Sequence, residues 1–238
     1  MSRRLRLFPL NAVLFPGAVL NLHIFEARYK QMINECLESG EGFGVALIAE
    51  GAEAGDPNVT PHEVGSIAEI VDVQPLPFGR YFISTIGRQR FRIARIVSRD
   101  PYLIVEADLL EDRAAPHDQE IDGLCERVRA LFVEYLDLVV EFSGQASAIE
   151  LPADALGASF LIGDTLQIAE AVKQRLLELD TVKQRLFAEE DFLERLLPQL
   201  RRLLERRRKE LEARRERGED LSYRPDQEKF FGKYFSLN

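Results

Sequence analysis

The chain has 238 residues, 46% hydrophobic and 30% charged, with a formal net charge of −9. That is enough chain for one large or two modest domains with a real core, and the acidic balance argues against nucleic acid as the default partner. No apolar run reaches the roughly 18 residues of a membrane span, and Arg6, Pro9, Asn11, Pro16 and Gly17 interrupt what could pass for a secretory signal after Arg3 and Arg4. The expected location is the cytoplasm.

In chain order, Phe8 to Cys36 (FPLNAVLFPGAVLNLHIFEARYKQMINEC) carries two Phe-Pro steps, Phe8-Pro9 and Phe15-Pro16. Proline fixes φ and pushes the residue before it into extended geometry, so both steps read as bends in a strand-rich region. Gly17 permits a turn, and Val19 to Ile24 follows as a strand. From Glu26 the period changes. Tyr29, Met32, Ile33 and Leu37 fall at helical spacing, and Gly40 is placed to end that helix. Phe43 to Ile48 is a nearly continuous apolar run, as in a buried strand. Ala49 to Pro61, rich in Gly, Pro and Asn, reads as a surface loop.

His62 to Val73 starts another strand, Pro75 to Arg80 forms a hairpin tip, and Tyr81 to Ile86 returns. Gly87-Arg88-Gln89-Arg90 reads as a second tight turn. It leads into a strand where Phe91 and Ile93 alternate with Arg90, Arg92 and Ala94, giving one dry and one wet face. Asp100-Pro101 breaks it, and Leu103 to Leu110 supplies a last strand. Six or seven short strands with one small helix among them predict a closed or nearly closed small barrel.

From Ala114 the texture changes, with Pro116 at the boundary. Asp118 to Phe142 places Ile121, Leu124, Cys125, Val128, Leu131, Phe132, Tyr135, Leu136 and Val139 at helical spacing, and Gly144 ends the run. Leu151-Pro152 opens a second helix to about Leu166, and a third covers Ala169 to Leu177. Asp180-Thr181 caps a fourth, which Pro198 should bend. Arg201 to Arg217 is a run of mixed charge and reads as a solvated helix face with i,i+4 pairs such as Glu205–Lys209. Gly218 closes it. The tail carries Tyr223, Phe230, Phe231, Tyr234 and Phe235, an aromatic set expected to pack on the body or on a neighbouring copy.

Two blocks resemble the substrate-recognition N-terminal domain of the ATP-dependent Lon proteases. One is Pro9-Leu10, Val13-Leu14-Phe15-Pro16-Gly17 and Leu22-His23-Ile24-Phe25-Glu26-Ala27-Arg28-Tyr29. The other is Gly65-Ser66-Ile67-Ala68-Glu69-Ile70, Gly79-Arg80 and Gly87-Arg88-Gln89-Arg90-Phe91-Arg92-Ile93. The resemblance extends over about Leu5 to Leu211. It implies an α+β protein: a PUA-like small β-barrel with one short helix over residues 1–113, an α-helical bundle over 114–217 ending in a long helix, and an aromatic tail over 218–238.

Chemistry is sparse. An ATPase would need a Gly-rich phosphate loop, and the one Gly-Lys step, Gly232-Lys233, lacks the preceding glycine pattern. His23, His62 and His117 show no metal-ligand spacing, and Cys36 and Cys125 read as reduced, mostly buried thiols. Glu189-Glu190-Asp191 reads as the first turn or a surface stretch of a helix. No catalytic, cofactor or metal residue is assigned.

The resemblance implies instead a non-catalytic module, without motor and protease, that recognises unfolded or apolar polypeptide and works alone or beside a full-length Lon protease. Candidate contacts are Phe15 and Pro16 at one turn and Leu76, Pro77 and Phe78 at the hairpin tip. Two alternatives stay open: an RNA-binding barrel, for which Arg80, Arg88, Arg90, Arg92 and Arg95 would have to form one basic face, and a dimerising adaptor.

Overall fold

The computed structural model describes residues 2–51, 58–112, 118–144 and 149–217. The first strand, β1 (Ser2–Leu10), buries Leu5 and Leu7 on one face and ends in a fully buried stretch, Leu7 to Leu10. It is followed by β2 (Val19–Ile24), α1 (Ala27–Ser39), β3 (Phe43–Glu50), the short β4 (Thr60–Pro61), β5 (Val64–Leu76), β6 (Arg80–Ser98) and β7 (Leu103–Leu109). Helix α1 buries Tyr29, Met32 and Ile33, as their spacing predicts, but the fourth buried position is Cys36, and Leu37, expected on the same face, is 45% exposed; Gly40 ends the helix in the left-handed region at φ +66°.

The strands close into a ring. β1 runs antiparallel to β7 with Leu5 opposite Val105, β7 to β6 with Val105 opposite Ile96, and β6 to β5 with Phe91 opposite Gly65. β5 pairs with β3, and β3 returns to β1 in parallel with Val45 opposite Phe8. Closure leaves these five strands without an open edge along their paired stretches. Leu5, Leu7, Ala46, Phe91, Leu103, Val105 and Ala107 pack together inside.

Two expectations for this region change. The tetrad Gly87 to Arg90 makes no turn, because β6 runs unbroken for 19 residues through it. The irregularity is a bulge in β6 itself, which advances three residues from Gly87 to Arg90 while β5 advances two from Ala68 to Ser66. Arg90 also leaves the wet face. Its side chain is buried against Asp112, with Nε–Oδ1 at 3.0 Å, and it donates to the carbonyls of Leu177 and Leu179, the second at 2.8 Å. A guanidinium with five donors survives burial only when such acceptors surround it.

The remaining elements are α2 (Gln119–Ser143), α3 (Ala155–Thr165), α4 (Glu170–Glu178) and α5 (Val182–Glu216). One compact unit takes in Met1–Arg113, Gly163–Thr165 and Glu170–Asp180, so α4 groups with the strands. Gln174 donates to the Val64 carbonyl at 2.9 Å, and the Val13 N–H donates to Glu170 at 2.8 Å. The second unit takes in Ala114–Ile162, Leu166–Ala169 and Thr181–Asn238.

Within the second unit α2 packs against α5, burying Leu124, Val128, Phe132 and Tyr135 from one and Leu186, Leu193, Leu197, Leu200 and Leu204 from the other. α3 starts at Ala155 rather than at Pro152, because the Asp154 carboxylate caps it by accepting from the Gly157 N–H at 2.7 Å. α5 continues through Pro198.

Glu189 sits on neither a first turn nor a surface. Its helical phase places it with Leu186 and Leu193 on the buried face, and neither carboxylate oxygen has a hydrogen-bond partner among the described residues. Arg185, one turn before it, is also buried. It donates to the Ser159 hydroxyl at 3.0 Å and lies 3.9 Å from the Phe160 ring centre. Burial pushes the Glu189 carboxyl well above the ordinary carboxylate range, against the pull of the Arg185 charge.

Candidate functional site

β5 and β6 form a long hairpin whose last pair is Leu76 with Arg80. Between them Pro77, Phe78 and Gly79 make a tight turn. Both Phe78 (φ +66°) and Gly79 (φ +65°) occupy the left-handed region. Glycine adopts it freely, whereas a bulky aromatic there is strained. Phe78 is 90% exposed, with Leu76 half-buried and Pro77 exposed beside it. Arg80 steadies the tip: its Nε donates to the Pro77 carbonyl at 3.0 Å, and its guanidinium lies 5.9 Å from the Phe78 ring centre. The sequence thus spends backbone strain to hold an apolar ring in water.

The other candidate turn is built differently. Phe15-Pro16-Gly17-Ala18 closes with the Ala18 N–H on the Phe15 carbonyl at 3.1 Å, and Gly17 has φ +84°. Proline followed by a positive-φ glycine is a type II signature. The Gly17 N–H reaches the Gly87 carbonyl at 2.8 Å, and the Gly87 N–H reaches the Ala18 carbonyl at 2.9 Å. Phe15 is fully enclosed and Pro16 half-buried, so Phe15 belongs to the core and leaves the set of surface contacts. The structure does not bring the two turns together. They sit at opposite ends of the β6 segment from Arg80 to Gly87, which at about 3.3 Å per residue puts them roughly 20 Å apart.

A cleft that sequence reasoning missed lies along β2. Phe8, Leu10 and Tyr29 line it together with Asn21 to Glu26, and its volume is about 310 Å³. Phe8 and Tyr29 stack with ring centres 3.9 Å apart, and Leu10 and Ile24 are buried beside them. Phe25 stands 56% exposed, 5.6 Å from the His23 ring. Glu26 is held by Arg28 at 2.9 Å, so the charges at this point cancel locally. The available signal was Phe25 itself, an aromatic at the end of a strand where the pattern has just left its buried phase.

The groups that could do chemistry are occupied otherwise. Burial pushes the Cys36 thiol up to about 11, which keeps it protonated and unreactive at neutral pH. The Tyr102 hydroxyl donates to Glu35, and that bond, with Arg6 at 3.2 Å, holds the Glu35 carboxyl below its ordinary value. Burial first, then Glu35, pushes Tyr102 up to about 12. His62 faces Glu178 at 3.5 Å. His117 lies outside the described residues, as do the tail aromatics.

The five arginines do not form a basic face. Arg90 is buried, Arg88 pairs with Glu69 at 2.7 Å, Arg95 with Glu106, Arg92 with Asp180, and Arg80 serves the tip. No described helix is long and apolar enough to cross a membrane.

The Lon protease of Anaeromyxobacter dehalogenans is 27% identical over 187 residues, 78% of this chain and 22% of that protein. Lon protease 2 of Myxococcus xanthus is also 27% identical over 187 residues, with 22% of its length covered. The chain therefore spans 22% of the length of these two relatives. Among solved structures, a Lon N-terminal domain protein from Xanthomonas campestris matches with a TM-score of 0.59 and 27% identity, covering 82% of this chain and 98% of that one. The N-terminal domain of a Mycobacterium avium complex Lon protease, at 19% identity and a TM-score of 0.59, shares the fold over 81% of this chain. The family model described as the ATP-dependent protease La (LON) substrate-binding domain matches residues 4–195, most of the chain, and the protein belongs to that family.

Proposed function

We propose that this protein recognises other polypeptides without catalysis, binding apolar segments that unfolded chains expose, through the Leu76–Pro77–Phe78 tip with Pro16 as a secondary contact. The observation that carries this reading is Phe78, 90% exposed and held in a conformation costly for an aromatic. Strain of this kind persists where the surroundings enforce it, and it clusters at binding sites. An apolar anchor presented by a rigid hairpin recognises apolar side chains without needing their sequence. The working location is the cytoplasm, and the substrates are non-native proteins delivered to, or withheld from, a full-length Lon protease.

Fluorescence anisotropy with a permanently unfolded labelled polypeptide tests it, with a folded protein and a labelled RNA as controls. Selective micromolar binding of the unfolded chain, lost in Phe78→Ser, is the expected result. Binding of RNA alone overturns the reading.

A further inference from the structure

A β-strand can be left open on one side, and among the described residues β2 is. Among the described residues it pairs with β6 alone. The phase of that ladder is set at its start, where the Gly87 N–H donates to the Ala18 carbonyl. Backbone groups in an antiparallel pair turn toward the neighbour at every second residue. Those of Leu20, Leu22 and Ile24 therefore face β6, and those of Val19, Asn21 and His23 face away, where no described backbone group meets them. Such a row of donors and acceptors is a template for another extended chain.

What lies beside this edge decides what would pair with it. The cleft of about 310 Å³ over Phe8, Leu10 and Tyr29 opens along Asn21 to Glu26. Its volume is at the small end of ligand clefts, which run roughly 300–1,000 Å³, and it suits a few side chains rather than a folded domain. The residues that line it are chiefly apolar, and the one carboxylate at its rim, Glu26, is already paired with Arg28. An extended chain projects its side chains to alternate faces. The same edge is continuous with the proposed recognition tip, since Ile24 stands opposite Tyr81, the residue after Arg80.

We infer that the free edge of β2 receives an extended segment of a bound polypeptide by strand addition, its alternate apolar side chains entering the cleft over Phe8, Leu10 and Tyr29. This rests on the polypeptide-recognition reading and names the conformation in which the polypeptide is held. Backbone hydrogen bonds supply affinity independent of sequence. The cleft selects segments with apolar residues at every second position, the pattern of chain stretches that form half-buried strands when their protein is folded.

The test uses the full chain and a labelled peptide with apolar residues at alternate positions. It is compared with a peptide of the same composition with that alternation scrambled, and with two versions N-methylated on one or the other set of alternate amides. A His23→Pro variant joins them, because it deletes an outward N–H and spares the β6 ladder. The expected outcome is binding of the parent peptide that falls about tenfold on scrambling, on N-methylation in one phase only, and in His23→Pro, a loss on the scale of one or two net hydrogen bonds.

Equal binding of both methylated peptides and the parent overturns strand addition while leaving polypeptide recognition standing. Failure of the parent peptide and of a denatured protein to bind at all overturns recognition itself. A dimer that His23→Pro dissociates and that excludes peptide assigns the edge to a second copy, and also overturns the inference. The methylated peptides decide the matter even where His23→Pro folds poorly.

Discussion

A β-carbon built on Gly87 would stand 2.1 Å from the Phe15 carbonyl oxygen. The two backbones touch where the Phe15–Ala18 turn is pinned to the middle of β6, and only a residue without a side chain lets them. The glycine is there for clearance, not for a turn.

Gly87→Ala is therefore expected to destabilise the protein by about 2–3 kcal/mol, since backbone rather than a movable side chain has to give way. Urea denaturation followed by circular dichroism measures this. An unchanged midpoint would show that the turn is free to lift off β6.

Phe78→Asn should move stability and binding in opposite directions. Asparagine tolerates the left-handed region, so relief of strain stabilises the fold by up to about 1 kcal/mol, while loss of the exposed ring weakens capture of unfolded polypeptide. Thermal melts and anisotropy on the same sample separate the two effects. A variant that melts higher and binds as well as the parent would remove the tip from the site.

Arg90→Lys is not conservative here. A lysine cannot reproduce the fork that meets Asp112 and the carbonyls of Leu177 and Leu179 together. Leaving those buried acceptors short costs about 3 kcal/mol. Denaturant midpoints for the lysine and methionine variants check it, and equal stability of Arg90→Lys and the parent would contradict the assigned contacts.

Glu189 gives the protein a pH signature. Its folded value is raised above the unfolded value of about 4.3, so the folded state binds the proton more tightly than the unfolded one. Its contribution to stability is complete below the unfolded value and is lost as pH rises from there toward the raised one. Glu189→Gln should flatten that part of the profile and stabilise the fold at neutral pH relative to the parent. Unfolding free energies between pH 4 and 8 report it, and parallel profiles for parent and variant would refute it.

Both cysteines are buried, and Cys36 is raised to about 11. A thiol reagent at neutral pH should label neither in the native protein and both after denaturation. Rapid native labelling of Cys36 would mean that α1 opens locally.

Local signals made much of the architecture legible. Helix α1 is written in the spacing of Tyr29, Met32 and Ile33 and in Gly40, although Leu37 turns outward, and the β5–β6 tip is written in Pro77 and Gly79. Both depend on neighbours within a few residues, which a sequence displays directly. The paired blocks around Phe15 and Phe91 likewise carried the family.

What the sequence could not decide were relations between distant segments. Arg90 reads as one more wet arginine in an alternating strand until β7 and α4 bring Asp112, Leu177 and Leu179 to it. Glu189 reads as surface charge until its helical phase is fixed by packing against α2 and α3. Phe15 and Phe78 look equivalent as exposed-turn aromatics, yet one is fully buried and the other stands in water. Among the described residues β2 has a free edge because the ring closes through β1 and β3 and leaves β2 outside it. Burial and pairing are properties of who arrives beside a residue, and long-range closure, not local propensity, settles that.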